Sequence, residues 1–395
     1  MAKPNLALIP AAQGSKLFSV LPSSGVGDFD FSRSGKATRI NSQGLIEEVA
    51  NGQSRLNYPM IDGKVVGCPH HILEPARTNL IINSQKISLT PTKAGTYTDN
   101  FAISPDGTLN ATKLTATSTD PYFYQNISYS AASYTASIYI KGIGNSVGKD
   151  FQIRLASNIY TDVIPSEWTR FEYTVTMPSG ASNIGLEIPN PAVIGDEVLV
   201  WGWQLEEGSF ATSYIPTNGE ANGVTRAAET ATGSGDAATF NDSEGVLMAE
   251  ISALANDGTT RTIALNSDTN NRIQLYFDTT LNALSLFYKA QGITQFYFYE
   301  TLSDATDFNK IAFKWKANDF ALWVNGIETD TASNGVTPTN LGSLDFKMFN
   351  DSNPFYGNTK QIQYYNSALT DSELEQLTSW VSFTDMAQGQ LYTIE

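Results

Sequence analysis

From about Ile87 onward the chain is dominated by short runs in which apolar and polar residues alternate. Strand side chains point to opposite faces in turn, so such runs predict half-buried β-strands. Tyr134 to Ile140 is one, and Phe171 to Met177 is the cleanest, with Phe171, Tyr173, Val175 and Met177 set against Glu172, Thr174 and Thr176. Turn formers punctuate the pattern at Pro105-Asp106-Gly107, Gly142 to Gly148, Pro178 to Gly180 and Asn190-Pro191. Strands spaced roughly 8–12 residues apart predict a two-sheet sandwich or jelly roll over residues 81–219.

A second all-β unit is predicted over residues 244–384. Ile273, Leu275 and Phe277 alternate with Gln274 and Tyr276; Ile311, Phe313 and Trp315 alternate with Ala312, Lys314 and Lys316. Phe320 to Val324 runs into Asn325-Gly326, which predicts a two-residue hairpin because both residues tolerate positive φ. Near its end Thr370 and Glu373 have capping-box spacing, with Leu369 and Leu374 at the staple positions. Leu374, Leu377, Trp380 and Val381 then share one face of a short closing helix.

Between the two units, residues 220–243 are rich in Gly, Ala, Ser and Thr and read as a linker. Ahead of it, Val198 to Trp203 reads as the last strand of the first unit. Val198, Val200 and Gly202 are expected on one face, and Leu199, Trp201 and Trp203 on the other. Gly208 breaks that strand, and Pro216 bars a following central strand. Residues 1–80 are turn-rich, with one short strand at Leu17 to Leu21 and a hairpin over Ala37 to Ile46. Such a segment cannot bury enough apolar surface alone and is expected to fold against a neighbouring subunit or a larger partner. Residues 385–395 are left as a tail. The fold class expected is therefore all-β, two β-sandwich (jelly-roll) domains after an extended N-terminal segment.

Composition narrows the function. Of 395 residues 41% are hydrophobic, enough for sizeable cores, but only 16% are charged, so Asn, Gln, Ser and Thr must supply much of the surface. The net charge of −16, with no basic run, argues against a nucleic-acid partner. No apolar run approaches the ~18 residues of a membrane span. The start, MAKPNLALIPAA, is a poor signal peptide because its apolar run is short and broken by Pro10, so export by the general pathway is not expected. One cysteine, Cys68, excludes an intrachain disulfide and a thiolate metal cluster.

Each motif with catalytic or metal-binding form has a simpler reading. Gly144-Asn145-Ser146-Val147-Gly148 matches a nucleophile elbow, but a strand-like FQIRL follows it and both histidines lie upstream, which favours a hairpin loop. His70 and His71 are adjacent in extended chain and would point apart; a metal shared between subunits on a threefold axis is the one arrangement that would use them. Asp28-Phe29-Asp30-Phe31-Ser32 starts like a calcium loop but lacks the glycine and terminal acid of one. No carboxylate pair for glycoside hydrolysis is legible. No cofactor and no metal site is expected, and no catalytic residue is assigned. Aromatics are abundant, and their faces suit sugar C–H surfaces. Trp168, Trp201 and Trp203 read first as core or its edge, with Trp168 and Trp203 retained as carbohydrate-binding candidates. Tyr122 and Tyr124, beside Pro121 near a strand end, are the better solvent-facing candidates. Phe296 to Tyr299 forms another aromatic run.

Several stretches also carry a resemblance. WGWQLEEG, then ATSYIPT and VTRAA, with Ser104 to Leu114, Tyr134 to Lys141 and Trp168 to Thr176, resemble a jelly-roll module similar to carbohydrate-binding modules and recurrent in structural proteins of tailed bacteriophages. LALIP, LFSVLP, GDFDFSRSGKATRINSQGLIEEVANGQSRLNYP and GCPHHILEPARTNLI resemble the N-terminal region shared by many phage virion proteins. KIAFKWKANDFALWVNG and FYGNTKQIQYYNSALTDSELEQL resemble the end of a laminin-G-like, concanavalin-like sandwich. The resemblance implies a virion structural protein of fibre, spike or decoration type, made in the bacterial host cytoplasm. In that reading residues 1–80 carry attachment and oligomerisation, a homotrimer is the expected assembly, and the partners are other virion proteins and host surface glycans. Laminin-G-like domains often hold calcium, for which Asp268 and Asp278 are the acidic candidates. Two alternatives stay open: a virion-associated polysaccharide-degrading enzyme, and a purely architectural decoration protein.

Overall fold

The computed structural model describes residues 2–9, 12–61 and 63–380, in which the alternating runs become antiparallel strands and the chain is all-β. Val381, the end of the second sandwich to residue 384 and the tail 385–395 lie outside the described residues. The chain divides into two compact units, and the division is interleaved. One contains Ala37–Glu48 and Ala76–Ala227; the other contains the described parts of Met1–Lys36, Val49–Pro75 and Ala228–Glu395.

The unit holding residues 76–227 is a sandwich of two five-stranded sheets. One has the order Thr92–Ala94, Tyr122–Tyr129, Gly180–Glu187, Asp150–Leu155, Asn158–Val163. The other has the order Thr96–Ile103, Leu109–Thr115, Glu197–Glu207, Ala132–Ile143, Thr169–Met177. Between them pack Leu114, Phe123, Ile138, Ile140, Phe151, Ile153, Leu186, Val198 and Val200.

Trp203 lies in that core with Val198 and Val200, not on the face of Trp201. The cause is a bulge: Ser137 pairs Gln204 and Tyr139 pairs Trp201, so Gly202 and Trp203 stand opposite the single Ile138. Gly202 takes φ +67, which a glycine adopts freely, and the extra residue inverts the inward-outward phase of the strand. Trp201 instead packs on the sheet's outer face with Tyr139, Tyr214, Ile46 and Trp168. The hairpin Ala37–Ile40 and Ile46–Val49 covers that cluster, with Thr38 Oγ1 donating to Tyr214 O at 2.6 Å.

The other unit is a second sandwich. Its large sheet runs Ile327–Ala332, Phe320–Val324, Asn309–Lys316, Glu244–Ala253, Gly357–Tyr365, His70–Leu73, Leu56–Asn57. Its partner sheet runs Ile293–Thr301, Ala283–Ala290, Arg272–Phe277, Arg261–Asn266, Ser343–Asp345. Asn325 and Gly326 take φ +50 and +86, so the Asn-Gly hairpin forms as its sequence predicts. The helix Asp371–Thr378 starts with the expected reciprocal cap between Thr370 and Glu373. Leu369, Leu374 and Leu377 bury against Val246, Met248, Ala312, Ala321 and Trp323, which explains why Ala312 is apolar among the positions that alternate with Ile311, Phe313 and Trp315. Trp380 lies just beyond the helix, with the Lys310 ammonium 4.2 Å from its ring centre.

The N-terminal segment folds against this same chain rather than awaiting a partner. Leu6–Leu8 pairs with Ile362 to Tyr364, and His70–Leu73 pairs with the start of the same strand. Leu6, Leu8, Leu17, Phe29, Phe31 and Leu73 are buried in the sandwich core beside Leu247, Ile263 and Phe313. Ile9 and Val20, apolar residues of the same segment, are about half exposed, at 49% each. Residues 220–243 are likewise not a free linker. Val224–Arg226 pairs with Arg77–Asn79, and Thr230–Thr232 pairs with Phe29–Ser32. Small residues serve here as close-packed strand positions; Ala231, for example, is fully buried.

Candidate functional site

The outer face of the first sheet of the residue 76–227 unit presents a designed-looking polar and aromatic surface, and the strand register defines it. Phe123, Leu186 and Ile153 point inward, so the residues on either side of each point outward. Across the sheet one outward row reads Thr92, Tyr124, Gly185, Arg154, Ile159. The next reads Ala94, Tyr122, Glu187, Gln152, Thr161.

Tyr122 and Tyr124 are two residues apart on one strand and their rings stack, with centroids 4.8 Å apart and planes 21° apart. Gly185 makes this arrangement possible. A Cβ there would lie 2.7 Å from the Tyr124 ring and 2.0 Å from Phe123 O, so no other residue leaves room for the ring beside the neighbouring strand. Tyr124 is 9% exposed and acts as the backing ring; Tyr122 is half-buried.

Glu187 ties the surface together. Arg154 donates to its Oε1 through Nε at 3.0 Å and Nη2 at 2.6 Å, the Tyr124 hydroxyl donates to the same oxygen, and Asn190 Nδ2 donates to Oε2 at 2.8 Å. Burial, reinforced by the bond to Glu187, pushes the Tyr124 hydroxyl above the ordinary phenol range, so it stays a donor. Burial works against the Arg154 charge, but Glu187 outweighs it and raises the guanidinium further. The result is a held aromatic platform beside a charge-paired, directional hydrogen-bonding group, an arrangement that suits a ring with an apolar face and polar edges. With both carboxylate oxygens already accepting charge-assisted bonds, Glu187 is built for orientation more than for proton transfer.

The expected aromatic residues therefore separate. Tyr122 and Tyr124 come together. Trp203 does not join them, being 1% exposed and packed edge-on at 5.1 Å against the inner face of Phe123, which leaves no ring surface for a ligand. Trp168 is half-buried on the opposite sheet, its Nε1 donating to Ile103 O at 3.0 Å. The sequence alone does not single out Glu187, Arg154 and Gly185. Alternation in FQIRL and IGLE places them outward, but only the pairing of those strands with Tyr122–Tyr129 shows that they meet.

The other candidate motifs have structural roles. Ser146, in the elbow-like motif, is fully buried in a 3-10 turn, where its Oγ accepts from Glu197 N at 3.0 Å. His70 and His71 are buried within the large sheet of the other unit. Asp268 and Asp278 sit beyond opposite ends of the strand Arg272–Phe277, so they do not converge on one ion. Among the described residues no group of three or more His, Cys, Asp or Glu side chains is placed to hold a metal, and no helix is long and apolar enough to cross a membrane.

No protein-family model and no curated protein matches the sequence. Several solved structures are similar in part. The CBM40 domain of a Ruminococcus gnavus IT-sialidase, bound to α2,3-sialyllactose, is 12% identical over 37% of this chain and 92% of its own, with a TM-score of 0.31. Domain 4 of AbnA, an arabinanase from Geobacillus stearothermophilus in complex with arabinotriose, is 15% identical over 44% of this chain and 84% of its own, with a TM-score of 0.32. The binding domain of botulinum neurotoxin DC is 12% identical over 40% of each chain, with a TM-score of 0.33. Likenesses this distant carry no argument about a ligand.

Proposed function

We propose that this chain is a non-catalytic, glycan-binding structural protein of a tailed-phage virion, which engages host surface glycans through the Tyr122 face. The observation that carries the binding half is the Tyr122–Tyr124 stack, held flat over Gly185 beside the Arg154–Glu187 pair. Fixed aromatic faces with a few oriented polar groups recognise sugars at low entropic cost, because little has to be ordered on binding. The virion half is supported by the stretches that resemble phage structural proteins. In that reading the unit that residues 1–75 help to build carries attachment to the particle, and the chain works as a homotrimer.

The test is a binding screen of the purified full chain against capsular polysaccharide and lipopolysaccharide from candidate bacterial hosts, together with labelling of virions by an antibody to the chain. Binding to a host glycan that Tyr122→Ala weakens about ten-fold, near 1.4 kcal/mol, is the expected result. Binding unaffected by Tyr122→Ala and Arg154→Ala would remove this face from the reading. Release of reducing ends would assign an enzyme instead, and unlabelled virions would overturn the structural role.

A further inference from the structure

We propose that the outer face of the sheet Arg261–Asn266, Arg272–Phe277, Ala283–Ala290, Ile293–Thr301 is a second binding site, for an acidic saccharide. It lies in the other unit and stands on its own residues. Ile273, Leu275, Leu284 and Leu286 point into the core, so Arg272, Gln274, Phe287 and Lys289 point outward. Register places Arg272 directly opposite Lys289, Gln274 opposite Phe287, and Phe287 opposite Tyr297. The cations and the aromatic residues thus share one patch.

Three features of that patch favour an anionic ligand, although Arg272 Nη1 already donates to Thr269 O at 2.6 Å. Like charges directly opposite on neighbouring strands repel, yet among the described residues no carboxylate lies within ion-pair distance of Arg272 or Lys289. Asp268, whose field reaches both, is committed to the backbone N–H groups of Asn270 at 2.7 Å and Asn271 at 2.9 Å. Gln274 is 3% exposed and its Nε2 has no acceptor, an unfavourable state for a buried amide. Tyr297 leaves 53% of its surface in solvent while Asp278 fixes its hydroxyl at 2.7 Å.

A saccharide bearing a carboxylate meets all three. Its carboxylate would neutralise the facing cations, a ring or exocyclic oxygen would accept from Gln274 Nε2, and its apolar face would lie on Tyr297. The Arg272 guanidinium is already fixed in place between the rings of Phe287, at 4.9 Å, and Phe349, at 4.4 Å.

The experiment is calorimetric titration of the full chain with hexamers of galacturonic acid and of sialic acid, and with maltohexaose as the neutral probe, at low and high salt. At least one acidic hexamer is expected to bind, more weakly at high salt. Lys289→Ala and Gln274→Leu, checked for unchanged thermal unfolding, should each weaken it about ten-fold, and Tyr122→Ala should leave it unchanged. The proposal is overturned if neither acidic hexamer binds at millimolar concentration, if maltohexaose binds as well, or if folded Lys289→Ala and Gln274→Leu proteins retain full affinity. A loss of binding in Tyr122→Ala alone would assign the acidic ligand to the other face.

Discussion

Arg55 donates through Nε to Glu229 Oε1 at 2.8 Å, and neither side chain has any exposed surface. A second nitrogen of Arg55 reaches Glu229 Oε2, Arg33 donates to Oε1 at 2.7 Å, and Arg55 also pairs with Glu74 at 2.8 Å. Two arginines and two glutamates thus cancel in the interior. Arg33, Arg55 and Glu74 belong to the turn-rich N-terminal segment, and Glu229 to the stretch that reads as a linker. Burial lowers the Arg33 guanidinium, partly offset by Glu229; for Arg55 burial is outweighed by the two carboxylates. Such a set stabilises mainly by being complete, because removing one member strands a buried charge. Glu229→Gln is expected to destabilise this unit by about 3–5 kcal/mol, read as a drop in the denaturant midpoint. A shift within experimental error would mean that water or a rearranged partner satisfies both arginines.

The same residues alter the expectation for truncation. Residues 244–384 have the strand pattern of an independent sandwich, but Leu6, Leu8, Phe29, Phe31 and Ala231 fill part of its core. Leu6–Leu8 and His70–Leu73 also cover the edge of Gly357–Tyr365, whose backbone groups would otherwise be open to association. A 244–384 fragment should therefore unfold without a sharp transition and self-associate, whereas a 228–384 fragment, which keeps Glu229 and Ala231, should regain cooperativity when residues 1–75 are added in trans. Cooperative, monomeric unfolding of the fragment alone would show that the N-terminal strands are dispensable.

Element type was legible in the sequence; the joining of distant segments was not. Period-two alternation placed the strands of both sandwiches, and local chemistry placed the Asn325-Gly326 hairpin and the Thr370 cap, because each signal lies within a few residues. The N-terminal segment reads as dependent because its apolar residues are too few to make a core, and nothing local shows that they complete one more than two hundred residues away. Trp203 departs from the alternation for a local reason, the Gly202 bulge, which a glycine inside a strand can signal. At the candidate site Tyr122 and Tyr124 stood out as aromatics, whereas Glu187, Arg154 and Gly185 gain meaning only once three strands pair.

Gly185 offers a direct test of that site. Gly185→Ala places a methyl group against Phe123 O and the Tyr124 ring, both closer than van der Waals contact allows. The expected outcome is a protein destabilised by about 1–3 kcal/mol, from overpacking, with weakened glycan binding and a changed near-ultraviolet tyrosine signal. Unaltered stability and spectrum would mean that the tyrosine pair is not held as described.

The helix cap gives a milder effect at a defined place. Thr370 accepts from Glu373 N, and Glu373 Oε2 accepts from Thr370 N at 3.1 Å. Thr370→Ala should cost about 0.5–2 kcal/mol, and Glu373→Gln less, since an amide oxygen can still accept. Chemical denaturation of the two variants side by side checks the order.

Acid should weaken the residue 228–380 sandwich earlier than its carboxylates require. His70 and His71 are the only histidines, both buried on the strand that joins the N-terminal segment to Gly357–Tyr365. Burial, with Lys360 and His71 nearby, lowers His70 to about 3, and burial lowers His71 to about 4. Unfolded histidine titrates near ~6.5. Below that value the unfolded chain binds protons that the folded chain refuses, so stability falls as pH drops from about 6.5 toward 4 and is fully present above it. The slope is roughly 1.4 kcal/mol per pH unit for each histidine. Carboxylates held low by hydrogen bonds, such as Asp278, add their loss only at lower pH. Urea midpoints measured between neutrality and pH ~5 should fall steadily, and a His70→Gln, His71→Gln protein should be flat over that window. A wild-type profile as flat as the variant's would mean that both imidazoles reach water or an acceptor in the folded state.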